Sequence, residues 1–135
     1  MSKKLNLLGL DVGHVRIGTA LGDAGVNLAV PYETIDVDGE EIEKIAEIVI
    51  RHEIDVIVVG LPRNQRGDLT KQSEYSQDFS KKLQDMDVEI VFQDESLTSV
   101  LAEQQLAARK KPYAKGDIDM VAATLILDDY LERQR

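Results

Sequence analysis

The fold is decided by residues 5–21, which read Leu-Asn-Leu-Leu-Gly-Leu-Asp-Val-Gly-His-Val-Arg-Ile-Gly-Thr-Ala-Leu. Two apolar runs, Leu5–Val12 and Val15–Leu21, are separated by only a short break, so they predict the two strands of one hairpin. A third run, Val26–Ile35, contains Pro31, which cannot donate to a sheet ladder and therefore predicts an edge strand or a bulge. The chain is thus predicted to open with a three-stranded antiparallel meander.

The rest of the chain alternates between helical and strand-like patterns. Apolar residues recur at helical spacing after Asp38, which is placed to act as the N-cap of that helix. The short apolar run Asp55–Gly60 is typical of a parallel strand buried on both faces, and Val88–Phe92 is predicted to be a fifth strand. The other predicted helices are Thr70–Met86, Thr98 to about Arg109, and about Asp117 to Arg133. The order predicts an α/β fold with one domain over residues 1–135, a mixed five-stranded sheet and helices on both faces.

Composition narrows the chemistry that the chain can support. It has 135 residues, 43% of them hydrophobic, which is enough to bury a core without disulfides. It has no cysteine and only two histidines, so any metal ion must be held by carboxylates. The N-terminus lacks the apolar segment of a signal peptide or a membrane span. We therefore expect a soluble, cytoplasmic protein.

Charge is distributed unevenly along the chain. The 16 Lys and Arg residues against 25 Asp and Glu give a net charge of −9, which argues against non-specific coating of nucleic acid. Much of the excess lies in residues 33–55, interpreted as a solvated helix face and its flanks. In contrast, Arg109, Lys110, Lys111 and Lys115 form a basic stretch without an acid. Such a stretch beside an acidic centre is suited to holding a phosphate backbone.

Two acids occupy positions where the apolar pattern predicts core residues. Asp11 shares its strand parity with Leu7, although an aspartate before a glycine also suits a plain turn. Asp119 lies at helical spacing from Ala123 on the apolar face of the last helix, although an acid in a first turn can also interact with the helix dipole. Because Asp117 is available for that second role, Asp119 is predicted to point toward the core.

A third acid, Glu95, follows the fifth strand at the sheet edge where open α/β sheets bind ligands, although it could also cap the next helix. If the last helix packs across the sheet, Asp11, Glu95 and Asp119 converge, and their mutual repulsion requires a cation. Oxygen ligands select Mg²⁺ or Mn²⁺, and two such ions suit phosphodiester hydrolysis. These three acids are predicted to be the metal ligands and catalytic residues, with Asp11 as the bridging ligand.

Five short motifs span most of the chain. They are Gly9-Leu-Asp-Val-Gly13, Arg16-Ile-Gly18, Val59-Gly-Leu-Pro62 with Asn64 and Gly67, Asp94-Glu95-x-Leu97-Thr98, and Asp119-x-x-Ala-Ala123. In order and spacing they resemble the YqgF (RuvX) family of ribonuclease H-like nucleases. The resemblance implies that fold, a cytoplasmic location and a nuclease that matures the 5′ end of pre-16S ribosomal RNA. It also implies that Asp11, Glu95 and Asp119 bind metal.

One departure from the family pattern concerns substrate binding. The family usually reads Asp-Glu-Arg where this chain has Asp94-Glu95-Ser96, and a serine offers only a neutral hydrogen bond to a phosphate. His14 is more typical of an exposed turn, although it could approach the attacking water or the leaving group. Substrate binding is predicted for basic and polar residues near the acids: Arg16, Arg63, Asn64, Arg109, Lys110, Lys111 and Lys115.

The leading hypothesis is a metal-dependent endonuclease that acts on structured RNA, with the small ribosomal subunit precursor as partner, as a monomer or homodimer. A resolvase for four-way DNA junctions is the related alternative, and it requires two paired cuts. An actin-like ATPase opens with a similar strand–turn–strand pattern but needs two such domains. A non-catalytic RNA-binding assembly factor is a further alternative, for which Ser96 is the only hint.

Overall fold

The computed structural model describes residues 5–64, 66–95, 104, 107, 108 and 115–133. The strands are β1 (Asn6–Val12), β2 (Arg16–Asp23), β3 (Leu28–Asp36), β4 (Val56–Pro62) and β5 (Glu89–Glu95). The helices are α1 (Glu41–Arg51), α2 (Lys71–Lys81) and α3 (Lys115–Arg133), with a 3-10 turn at Gln84–Met86. None of these helices has the length and apolar character needed to span a membrane. The helix predicted over residues 98–109 lies outside the described residues.

The five strands form one mixed sheet in the order β3-β2-β1-β4-β5. The pairs β1–β2 and β2–β3 are antiparallel, whereas β1–β4 and β4–β5 are parallel, so the predicted sheet is confirmed. Pro31 lies in the edge strand β3, opposite a register shift between Gly18 and Ala20. The Thr19 hydroxyl at this bulge donates to the carbonyl oxygen of Glu33 over 2.6 Å and accepts from its N–H over 3.0 Å.

The two faces of the sheet are covered by different helices, as predicted. One face packs against the apolar stripe of α3, in a buried cluster of Leu7, Ala20, Val56, Val58, Ala123, Ile126, Leu127 and Leu131. The other face packs against α1 and α2, around a cluster that includes Leu8, Leu10, Ile45, Ile57 and Phe79. Since successive strand residues point to opposite faces, Leu7 contacts the α3 side and Leu8 the α1 and α2 side.

Two predicted helix boundaries were wrong for local reasons. Asp38 is not the N-cap of α1, because its carboxylate accepts the N–H of Glu40 over 3.0 Å in a turn before the helix. The second helix starts as predicted, with Thr70 and Ser73 forming a reciprocal capping box. It ends at Lys81 rather than Met86, and the chain then turns through the left-handed residue Asp87.

Candidate active site

The carboxyl ends of the parallel strands β1, β4 and β5 lie at one edge of the sheet, which we call the carboxyl edge. Asp11 is the penultimate residue of β1, and the backbone of Glu95 ends β5. Leu10 of β1 pairs with Val59 of β4, which in turn pairs with Phe92 of β5. Asp11 and the backbone of Glu95 therefore lie two strands apart along the same edge. Ligands of open α/β sheets bind at this edge.

Asp119 reaches the carboxyl edge because α3 packs very close to β1 and β2. Asp11 is paired with Gly18 in the β1–β2 ladder. A Cβ on Gly18 would overlap the carbonyl oxygen of Asp119 and come within 2.8 Å of the Asp119 Cβ. A Cβ on Gly9 would lie 2.6 Å from Cγ of Leu127, so α3 rests on glycines of both strands. The missing side chain at Gly18 therefore brings Asp119 next to Asp11.

The carboxyl group of Asp11 is electrostatically perturbed by this packing. Its pKa is raised from 3.8 to about 7, first by burial and second by the negative charge of Asp119. Both causes disfavour the ionised form of the acid. Since a strongly shifted pKa with a charged neighbour marks functional sites, the pair is a candidate catalytic centre.

Arg16, which is predicted to bind substrate, contacts one of the predicted metal ligands. Its Nε donates to Oδ2 of Asp119 over 2.8 Å, and the two side chains are 31% and 21% exposed. Arg16 is the first residue of β2, on the far side of the turn from Asp11. The guanidinium therefore supplies one positive charge to a centre that contains at least two acids.

The loop after β4 uses its predicted substrate-binding residues to hold its own shape. Arg63 donates through Nε to Oδ1 of Asp94 over 2.9 Å, and through a terminal nitrogen to a carbonyl of the same loop. The side-chain oxygen of Asn64 accepts the backbone N–H groups of Arg66 and Asp68, each over 2.9 Å. At the carboxyl edge, Arg63 thus joins this loop to the end of β5.

Two contacts at the carboxyl edge were not predicted from the sequence. The ring of His14 stacks on that of Tyr75 in α2, with centroids 3.9 Å apart and planes inclined by 35°. The side-chain nitrogen of Gln72 donates to the carbonyl oxygen of Val12 over 2.7 Å. Both contacts depend on how α2 packs against the end of β1, which no local sequence pattern indicates.

The predicted basic stretch is described only in part. Lys115 is exposed and begins α3, the helix that carries Asp119 in its second turn. The helix start is fixed to the edge strand because the Thr34 hydroxyl donates to the carbonyl oxygen of Gly116 over 2.7 Å. Arg109, Lys110 and Lys111 lie outside the described residues, as does Ser96.

The donor set at the carboxyl edge fits a hard divalent cation. Asp11 and Asp119 supply carboxylate oxygens, and the charge of one raises the pKa of the other, which is a repulsion that a cation relieves. Ligands of this oxygen-only kind suit Mg²⁺ or Mn²⁺. Within the described part of the chain, no three His, Asp or Glu side chains form a complete metal-binding group.

Two solved structures resemble this architecture. The chain superimposes on T. thermophilus RuvC in complex with a Holliday junction substrate with a TM-score of 0.60, at 14% identity over 96% of both chains. It superimposes on the Fowlpox virus resolvase in complex with Holliday junction DNA with a TM-score of 0.58, at 14% identity over 96% of this chain and 99% of that chain. The sheet order and these likenesses define a ribonuclease H-like fold.

Sequence comparison identifies the family within that fold. The family described as "RuvX: Holliday junction resolvase" matches residues 5–133. A relative from Sulfurihydrogenibium sp. named "Putative pre-16S rRNA nuclease" is 40% identical over 130 residues, which cover 94% of this chain and 90% of the relative. A relative of the same name from Streptococcus uberis is 36% identical over 96% of this chain and 99% of its own. The chain belongs to the RuvX family, a family of nucleases.

The raised pKa of Asp11 predicts how stability depends on pH in the metal-free protein. Between pH 3.8 and about 7 the folded state keeps a proton on Asp11 that the unfolded state releases, so raising the pH through this window destabilises the fold. One pKa unit corresponds to about 1.4 kcal/mol, so above pH 7 the Asp11→Asn variant should be the more stable protein by roughly 4 kcal/mol.

Urea unfolding of both proteins in chelator, from pH 4 to pH 8, measures this difference. The stability gap should be near zero at pH 4, widen as the pH rises, and close again when Mg²⁺ is added at pH 8. A gap that does not change with pH would mean that Asp11 has an ordinary pKa.

Proposed function

We propose that this protein is a divalent-metal-dependent endonuclease that hydrolyses phosphodiester bonds in 5′-end maturation of pre-16S ribosomal RNA. The observation that carries the proposal is the placement of Asp119 next to Asp11 by the close approach of α3 to Gly18. Names of the RuvX relatives support the choice of pre-16S RNA as substrate. The proposed setting is the cytoplasm, on a precursor of the small ribosomal subunit.

Asp11, Asp119 and Glu95 are the residues that we propose to hold the metal, as two Mg²⁺ or Mn²⁺ ions. When bound, such ions activate a water and stabilise the charge that develops on a leaving oxygen. Asp11 is the central ligand of the three in this proposal, since it lies near the end of the middle strand and its pKa responds to the charge of Asp119. Two features support this assignment. The proposed ligands are all carboxylate oxygens, and Arg16 supplies only one positive charge beside Asp11 and Asp119.

The basic residues at the carboxyl edge position the substrate in this proposal. Arg16 neutralises Asp119 in the metal-free protein and is near enough to pair with a phosphate oxygen once a cation takes over that task. Lys115 is exposed at the start of α3, and the charged residues Arg109, Lys110 and Lys111 precede it in the sequence. These cations hold the backbone of the RNA without reading its bases.

Arg16 is predicted to stabilise the metal-free protein more than the metal-bound protein. Because its partner Asp119 is partly exposed, Arg16→Gln should cost the metal-free fold only about 1 kcal/mol. The same variant should bind Mn²⁺ at least as tightly as the parent, since a competing cation has been removed. Calorimetric titration with Mn²⁺ and unfolding in chelator check this, with Lys44→Gln, which breaks the exposed Lys44–Asp38 pair, as the matched control. Weaker Mn²⁺ binding by Arg16→Gln would show that the arginine helps to build the metal site.

A direct cleavage assay tests the proposed function. The purified protein is incubated with Mg²⁺ or Mn²⁺ and, in parallel, with a pre-16S leader RNA and a synthetic four-way DNA junction. We expect cleavage of the RNA only when the metal is present, and none by Asp119→Asn. Failure to cut the leader RNA under any metal condition would overturn the proposal.

Resolution of four-way DNA junctions is the second candidate function, because the matching family is described as a Holliday junction resolvase. Resolution requires two coordinated cuts and hence two active sites, so it predicts a dimer in solution. Cutting of the junction arm by a dimeric form of the protein, with the leader RNA left intact, would favour this candidate. A strictly monomeric protein would count against it.

A further inference from the structure

The turn between β1 and β2, which closely follows Asp11 in the chain, carries an exposed imidazole. His14 lies three residues after Asp11, so the two Cα atoms are at most about 11 Å apart. The turn is closed by a hydrogen bond of 3.1 Å from the N–H of Gly13 to the carbonyl oxygen of Arg16. The exposed position and the closed turn give His14 a fixed location at the carboxyl edge.

The ring of His14 is held from one side by an aromatic residue that belongs to the core. Tyr75 is half-buried and packs against the cluster under α1 and α2, while its ring meets that of His14 at 3.9 Å. The start of α2 is tied to the strand ends, because Gln72 donates to the carbonyl of Val12 and the Ser73 hydroxyl donates to that of Pro62. Tyr75, on which the exposed imidazole stacks, therefore lies on a helix whose start is hydrogen-bonded to β4 and to β1, the strand that carries Asp11.

The candidate catalytic acids and the His14–Tyr75 pair lie on opposite sides of the sheet. Asp11 and Asp119 lie on the side of the sheet covered by α3, whereas His14 and Tyr75 lie on the side covered by α2. A polynucleotide with its phosphate at the acids can continue over the carboxyl edge and place a neighbouring base near His14. Aromatic and imidazole rings stack well on bases that are not already stacked within a duplex.

We propose that His14, supported by Tyr75, is a stacking platform for an unpaired nucleobase next to the scissile phosphate. The proposal rests on the proposed nuclease function and adds a preference for single-stranded segments within the structured substrate. A base inside a duplex is stacked on its neighbours and cannot reach the ring. The platform therefore distinguishes unpaired from paired nucleotides and does not distinguish one base from another. His14 acts here by binding the substrate, and no proton transfer is assigned to it.

The test uses the Asp11→Asn background, so that the substrate stays uncut, and an RNA hairpin whose single-stranded extension carries the fluorescent base 2-aminopurine. Binding should quench the fluorescence of the base. His14→Ala should remove the quenching and weaken binding about tenfold, whereas His14→Phe should keep both. A fully paired RNA of the same length should bind equally well to all three proteins. The control is His52→Ala, which removes the other imidazole, at the C-terminal end of α1 and in contact with Tyr32 of β3.

Each outcome separates the platform from the nuclease activity. Loss of affinity for the extension alone, rescued by phenylalanine, supports the platform. If the parent protein cleaves leader RNA with Mg²⁺ but His14→Ala binds the extension as tightly as the background protein, the platform is wrong and the nuclease proposal stands. If His14→Ala weakens binding to paired and unpaired RNA alike, the platform is also wrong. Absence of both binding and cleavage by the parent protein overturns both proposals.

Discussion

Asp11→Asn is expected to lower the cleavage rate at saturating Mg²⁺ by about a thousandfold or more, with the fold intact. The variant keeps the size of the side chain but loses the charge that we propose to ligate the metal. Metal ions contribute several kcal/mol to phosphodiester hydrolysis, and each 1.4 kcal/mol is a factor of ten in rate. Because the ionised carboxyl group is destabilised where it lies, the inactive variant should also resist unfolding above pH 7 better than its parent.

Single-turnover cleavage of the leader RNA at saturating enzyme measures this effect without interference from substrate release. The matched control is Asp129→Asn, which removes an exposed acid from the helix that carries Asp119. It should change neither the rate nor the metal dependence. A cleavage rate for Asp11→Asn within tenfold of the parent rate would mean that the catalytic centre lies elsewhere.

Gly18→Ala is expected to damage both stability and activity, although it adds a single methyl group and removes no charge. The new Cβ would overlap the carbonyl oxygen of Asp119, which is backbone and cannot rotate away. Overpacking of this kind commonly costs up to about 3 kcal/mol. The helix α3 must move outward to relieve the overlap, and Asp119 then moves away from Asp11.

The control for this substitution lies four residues along the same strand. In Gly22→Ala the new Cβ would meet Cδ1 of Leu127 at 3.1 Å, the end of a flexible side chain, so the cost should stay within about 1 kcal/mol. Urea unfolding of the two variants and their cleavage rates give the comparison. If Gly18→Ala proves as stable and active as Gly22→Ala, α3 does not depend on the close contact at Gly18.

Much of the fold was predictable because local spacing fixes which face a residue occupies. Alternation along β1 separated Leu7 from Leu8 and put Asp11 on the side of Leu7, and the structure places α3 on that side. Helical spacing put Asp119 on the stripe of Ala123, which packs on the same face. The side-chain repeats of two residues in a strand and 3.6 residues in a helix were therefore enough to predict that Asp11 and Asp119 lie on one side of the sheet.

What the sequence did not predict depends on contacts between distant segments. The role of Gly18 is one example, because only the position of α3 reveals what its missing side chain makes room for. The contact between His14 and Tyr75 depends on how α2 is seated against β1, which no periodicity records. The error at Asp38 is of a different kind, since one aspartate can form either a turn or a helix cap with similar hydrogen bonds.

The ion pair between Arg16 and Asp119 joins residues that are 103 positions apart in the chain. Synthesis proceeds from the N-terminus at about 5–20 residues per second, so β1 and β2 leave the ribosome several seconds before α3. A growing chain interrupted before α3 carries Asp11 without Asp119, and one face of its sheet is still uncovered. The proposed nuclease therefore gains the pairing of Asp11 with Asp119 only when α3 docks on β1 and β2.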